Sequence, residues 1–180
     1  MKTALCQLAL CGAAAILPQA ALAADALVAE LEQRLANAGV ESVNEHLSAR
    51  ANAAMSRFNR QTASCELQAV SLAVRLARGA NARAVEAHEE SLRAASGRCA
   101  RFVLALVSAA DVPRVCASQA AWGAAQTARE LRRRIADIDA DKLLRGTAQG
   151  QACRAAYLYE LTNTRVTLRV ASPRPMAPER

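Results

Sequence analysis

Aromatic residues are few: among 180 positions there are two phenylalanines, two tyrosines and one tryptophan. Sugar-recognising clefts generally rest on aromatic surfaces, so this scarcity speaks against glycan cleavage, although paired carboxylates could come from distant positions. Lysine is almost missing: Lys142 is the only one beyond Lys2, and arginine supplies the rest of the +7 net charge. With 7 glycines and 5 prolines, little material is left for turns. No Cys-x-x-Cys is present, which removes the usual redox and haem-attachment patterns. Gly-x-Ser-x-Gly, the strained elbow of a serine hydrolase, is missing too. Only two histidines occur, His46 and His88, and neither has a glutamate three positions before it, as a di-metal helical bundle requires; Val43 and Val85 stand there. No apolar run reaches the roughly 20 residues that span a bilayer.

What is there begins with a leader. Lys2 is followed by an apolar run over residues 4–16, then Pro18, then Ala21-Leu22-Ala23. A charged start, a short apolar core and an A-x-A site together make a cleavable secretory signal over residues 1–23. A lipid-modified cysteine at Cys11 would need a small residue before it, where Leu10 sits. Cleavage after Ala23 leaves a helical domain over 24–171 and a tail over 172–180 that holds three prolines and reads as disordered. The expected location is the periplasm or the extracellular space, with no transmembrane segment after cleavage.

Alanine, leucine and arginine dominate the mature part, and apolar residues recur at alternating spacings of three and four, which predicts helices. They are expected over residues 25–37, 41–78, 82–110, 111–146 and 148–162, with Gly39, Gly79 and Gly146 at three of the boundaries. Asp111 would cap the fourth, and Pro113 is tolerated in its first turn. Uninterrupted, residues 43–76 would span about 50 Å at 1.5 Å per residue. If that stretch breaks, the polar run Asn59-Arg60-Gln61-Thr62 is the place. Residues 164–170 alternate polar and apolar and are rich in β-branched side chains, which favours a strand, but a lone strand would have no partner, so strand and helix both stay open. The fold class is all-α, an elongated bundle of four to five helices braced by two disulfides.

Those disulfides come from Cys65, Cys99, Cys116 and Cys153, each on the apolar stripe of its helix. An even number of cysteines in an exported chain implies bridges. Heights along continuous, alternating helices favour Cys99–Cys116 with Cys65–Cys153, because Cys116 and Cys153 would otherwise stand about 30 Å apart. A kink at Gly97 or Gly123 would upset that estimate.

No catalytic residue, cofactor or metal site is assigned. Glu86, His88, Glu89 and Glu90 form the densest ionisable cluster, but His88 lies on an apolar stripe and reads as a hydrogen-bonded core histidine. Trp122, Arg129, Arg132 and Arg133 are the candidate interaction residues. Arg134 is grouped with that arginine run and expected to pair with Glu130 four positions earlier, as Arg133 would with Asp137. The function expected is that of an exported, non-catalytic interaction protein: an envelope-assembly accessory, an inhibitor or an immunity-type partner. Its partner would be another envelope or secreted protein. The alternative is a binder of small ligands, or of anionic lipid or polysaccharide, through the arginine face; export argues against nucleic acid. An enzyme centred on His88 ranks third.

Overall fold

A computed structural model describes residues 19–49 and 53–171, and the structural statements below refer to these. They are all-α: α1 Gln19–Ala49, α2 Ala53–Ala63, α3 Leu67–Leu76, α4 Ala82–Ser96, α5 Ala100–Leu106, α6 Val112–Val115, α7 Ala124–Ala140, α8 Lys142–Arg145 and α9 Ala148–Ala171. The leader's charged start and apolar run and the tail over 172–180 lie outside the described residues. No helix among those described is long and apolar enough to cross a membrane.

The helix expected to end at Gly39 does break there. Gly39 has φ 77° and ψ 177°, and helix resumes immediately beyond it. That conformation is open essentially to glycine alone. A Cβ at Gly39 would meet nothing within 4 Å, so substitution carries only the backbone cost. Gly39→Ala is therefore expected to destabilise by about 1–3 kcal/mol in urea unfolding. A loss below a few tenths would mean that the bend is not fixed.

The long second segment is not one helix: among the described residues it breaks between α2 and α3. The chain leaves α2 through a paired hydrogen-bond closure: Glu66 N–H donates to Gln61 O (3.1 Å) and Cys65 N–H donates to Thr62 O (2.9 Å). Cys65 takes the left-handed position of that motif, with φ 67°, where glycine is usual. The break thus falls a few residues beyond the polar run at 59–62. The third segment also divides, at Gly97–Cys99, between α4 and α5. The fourth divides into α6, a loop carrying Trp122, α7 and α8. Pro113 does sit in the first turn of α6, and Gly123 precedes α7 rather than kinking it. Residues 164–170 continue α9 as helix. Their β-branched residues give up only tenths of a kcal/mol each in a helix, and no strand stands among the described residues to pair with.

α4 lies at the centre, in contact with α1, α2, α3, α5 and α6, while α7 and α9 pack side by side and α5, α6 and α8 reach α9. One contiguous core runs through Leu31, Leu47, Phe58, Leu72, Leu92, Leu131 and Tyr157. Alanines at 69, 73 and 95 are fully buried within it. They allow close helix approach but bury little area each, so cross-links carry more of the stability here than in a leucine-filled core.

The bridges are Cys65–Cys99 and Cys116–Cys153, with Cα–Cα distances of 6.3 and 5.3 Å. This corrects the expected pairing of Cys99–Cys116 with Cys65–Cys153. The height estimate assumed unbroken helices, whereas turns at Ser64–Glu66, at Gly97–Cys99 and over 116–123 each restart the count. Cys65–Cys99 joins the α2–α3 turn to the α4–α5 turn. Cys116–Cys153 pins the end of α6 to α9.

Candidate functional site

The densest polar constellation in the interior surrounds Arg134 in α7. Leu131, Arg134 and Ile138 follow a three–four spacing, so the arginine shares the buried face with two core residues and is itself only 4% exposed. This corrects its grouping with the polar run: Glu130 pairs instead with Arg133 (3.0 Å), which also holds Asp137 at 2.8 Å as expected.

The Arg134 guanidinium reaches the C-terminal end of α4. Its Nη1 donates to Arg93 O (2.8 Å), Tyr157 OH (3.2 Å) and Ser96 Oγ (3.4 Å). Ser96 Oγ donates in turn to a main-chain carbonyl, with Arg93 O and Val115 O both at 2.9 Å. A cation at a helix C-terminus is favoured by the helix dipole, and here it also satisfies an orphan carbonyl. The Trp122 ring lies 4.9 Å from the guanidinium carbon and the Tyr157 ring 5.7 Å, in cation–π range. Gly97 closes one side: a Cβ there would stand 2.6 Å from Nη2 and 2.8 Å from Nε, so only glycine lets the group lie against the backbone. Among the described residues no carboxylate bonds to Arg134, its Nε is buried without a partner, and Nη2 makes no hydrogen bond.

Around this side chain opens a cavity of about 370 Å³, lined by residues 96–102, Arg134, Asp137, Ile138, Asp141, Leu144 and Tyr157. Arg101 is bound to Asp141 through Nη2 at 2.8 Å and through Nε. That hydrogen bond, with one from Leu144 N–H, holds the Asp141 carboxyl below its ordinary 3.8.

The other candidates are dispersed. Trp122 is half-buried against Arg134 rather than projecting. Arg129 and Arg132 are exposed on α7 and make no ion pair among the described residues, whereas Arg133 is committed to Glu130 and Asp137 and donates to Gly97 O (3.4 Å). Glu89 and Glu90 are tied to Arg93, and Glu89 also faces Arg114 at 3.7 Å. His88 is fully buried, with Nε2 3.1 Å from Asn44 Oδ1, as a core histidine should be. It shares no cluster with Glu86, which is exposed. No group of three or more potential metal ligands occurs among the described residues. Comparison with protein-family models, with curated proteins and with solved structures gives no match.

The sequence signal for Arg134 was present but weak. It lies three residues after Leu131 and four before Ile138, at an apolar phase of the helix. Nothing in the sequence alone brings α4, α7 and α9 together around it.

Proposed function

We propose that this chain is an exported, non-catalytic helical protein that binds another envelope or secreted protein through the outer face of α9. Export is supported by the leader pattern and by two disulfides, which persist in oxidising compartments. The observation that carries the binding reading is compositional. From Ala148 to Asn163 the exposed residues of α9 are Ala148, Gln151, Ala155, Leu158, Tyr159, Thr162 and Asn163, all uncharged, and the partly open Arg154 is held by Asp139. Tyr159 is 73% exposed and Leu158 38%, in a chain where charged residues make up 22%. The exposed side of α7, by contrast, carries Arg129, Arg132, Arg133 and Asp137. Apolar and aromatic residues with charge depleted mark the centre of an interface.

The test is a tagged pull-down of the processed protein beside its Tyr159→Glu variant. Recovery of a stoichiometric partner by the parent protein, falling at least about tenfold with the variant, is expected for a central aromatic anchor. Equal recovery by both would sink the α9 reading. Arg129 and Arg132, exposed and unpaired, favour a second reading in which the arginine face meets anionic lipid or polysaccharide. In that case recovery on anionic vesicles falls as salt rises.

A further inference from the structure

We propose that the cavity beside Arg134 is a binding site for a small organic carboxylate with a short apolar body. The reasoning starts from charge. Five charged side chains line the cavity: Arg98, Arg101, Arg134, Asp137 and Asp141. Asp141 is taken by Arg101, and Asp137 is taken by Arg133 from outside the cavity. Among the described residues the Arg98 side chain makes no hydrogen bond or ion pair, and the Arg134 guanidinium bonds only to neutral acceptors. Arg133 is shared with Glu130, so the lining and its outer partners carry one net positive charge.

Arginine cannot discharge itself by losing its proton. Burying an unpaired guanidinium is costly even when one nitrogen is well bonded. Nη1 of Arg134 is saturated by Arg93 O, Ser96 Oγ and Tyr157 OH, and the ring of Trp122 covers the group. The donor still unsatisfied and not sealed in the interior is Nη2. A carboxylate oxygen accepting from it would neutralise the buried cation, with Arg98 completing the charge match. Carboxylate rather than a multiply charged anion fits the balance, because Asp137 and Asp141 stand in the same wall and repel excess negative charge.

The rest of the wall is apolar. Phe102, Ile138, Leu144 and Tyr157 line the cavity together with Cys99 of the Cys65–Cys99 bridge. A volume of about 370 Å³ lies at the small end of ordinary ligand pockets, which combine apolar walls with a few placed polar groups. It suits a body of several carbons. This site is separate from the outer face of α9.

Trp122 is the only tryptophan in the chain, and it touches the guanidinium that would move or be screened on binding. Its fluorescence, with calorimetry as the independent readout, reports on titration of the processed protein with hexanoate, acetate and inorganic phosphate. Hexanoate is expected to give a saturable change with Kd below about 1 mM, at least about tenfold tighter than acetate, since each buried methylene adds about 0.8 kcal/mol. Arg98→Gln, which removes an exposed and unpaired side chain, should leave the melting temperature in place and weaken hexanoate at least about fivefold. Gly97→Ala, which pushes a methyl onto the Arg134 guanidinium, should weaken it further. No saturable response to hexanoate, equal affinity for acetate, binding of phosphate alone, or an Arg98→Gln protein that binds as tightly as the parent would each overturn the proposal.

Discussion

Reduction of both disulfides is expected to unfold the protein at room temperature. The bridges close loops of 34 and 37 residues, and a loop of that length contributes about 4 kcal/mol by restricting the unfolded chain. The loops follow one another along the sequence without interleaving, so each restricts a different part of the unfolded ensemble and the two contributions should add. Together they approach about 8 kcal/mol, against a total stability of about 5–15 kcal/mol for a domain. The alanine-rich core around α3 and α4 offers little to replace them. Alanine pairs at Cys65 and Cys99, or at Cys116 and Cys153, should each lower the urea unfolding free energy by about 4 kcal/mol. The order of reduction also follows from the structure: Cys116 and Cys153 are buried, whereas Cys65 and Cys99 are partly exposed, so a mild reductant opens Cys65–Cys99 first. A reduced chain that keeps its cooperative transition, or a loss below about 1 kcal/mol per pair, would refute the argument.

The same bridges mark how far the sequence could be read. Helix was legible up to residue 162, because alanine, leucine and arginine at three–four spacing have no other regular solution, whereas the alternating β-branched residues over 164–170 left strand open as well. The bend at Gly39 was legible because its conformation demands glycine and glycine is there. The break after α2 was not, because the residue in the left-handed position is Cys65, and its strain is held by hydrogen bonds that join Gln61 to Glu66 and Thr62 to Cys65. Once that turn is missed, heights computed along a continuous helix are wrong for everything beyond it, and the wrong cysteines are paired. Arg134 shows a different limit. Its phase on α7 points inward, but an arginine beside Glu130 invites a surface pair. Only the assembly of Ser96, Tyr157, Trp122 and Gly97 around it shows why burial wins: the α4 carbonyl end needs a donor, and two aromatic faces accept the charge. The cavity beside it joins residues of α4, α5, α7, α8 and α9, so no local pattern announces it.

His88 gives the second large effect, and it appears with pH. The ring is fully buried and lies edge-to-face with Phe58, ring centroids 5.6 Å apart at 84°. Asn44 Nδ2 donates to Leu76 O (3.0 Å), which leaves Asn44 Oδ1 as the acceptor facing His88 Nε2 at 3.1 Å. Nε2 must therefore carry the proton, and Nδ1 is left buried with no partner. Adding a proton to Nδ1 would create a charged donor with nothing to donate to. Burial accordingly pushes the histidine down from 6.5 to about 4. The sign then follows. Between those two values the unfolded chain binds a proton that the folded chain refuses, so the contribution is whole above 6.5 and is lost as pH falls from there through about 4. Its full size is about 3 kcal/mol. Asp139 and Asp141, held below their ordinary 3.8 by hydrogen bonds to Arg154 and Arg101, lose their contributions only at lower pH, so the histidine step stands apart. Urea unfolding at a series of pH values should show stability falling through that window, and the His88 ring resonance should hold its neutral position until near pH 4. A ring that titrates near 6.5 would mean that α4 opens readily enough to hydrate it. The tight hydrogen-bonded seam between α1, α3 and α4 would then not describe the protein in solution.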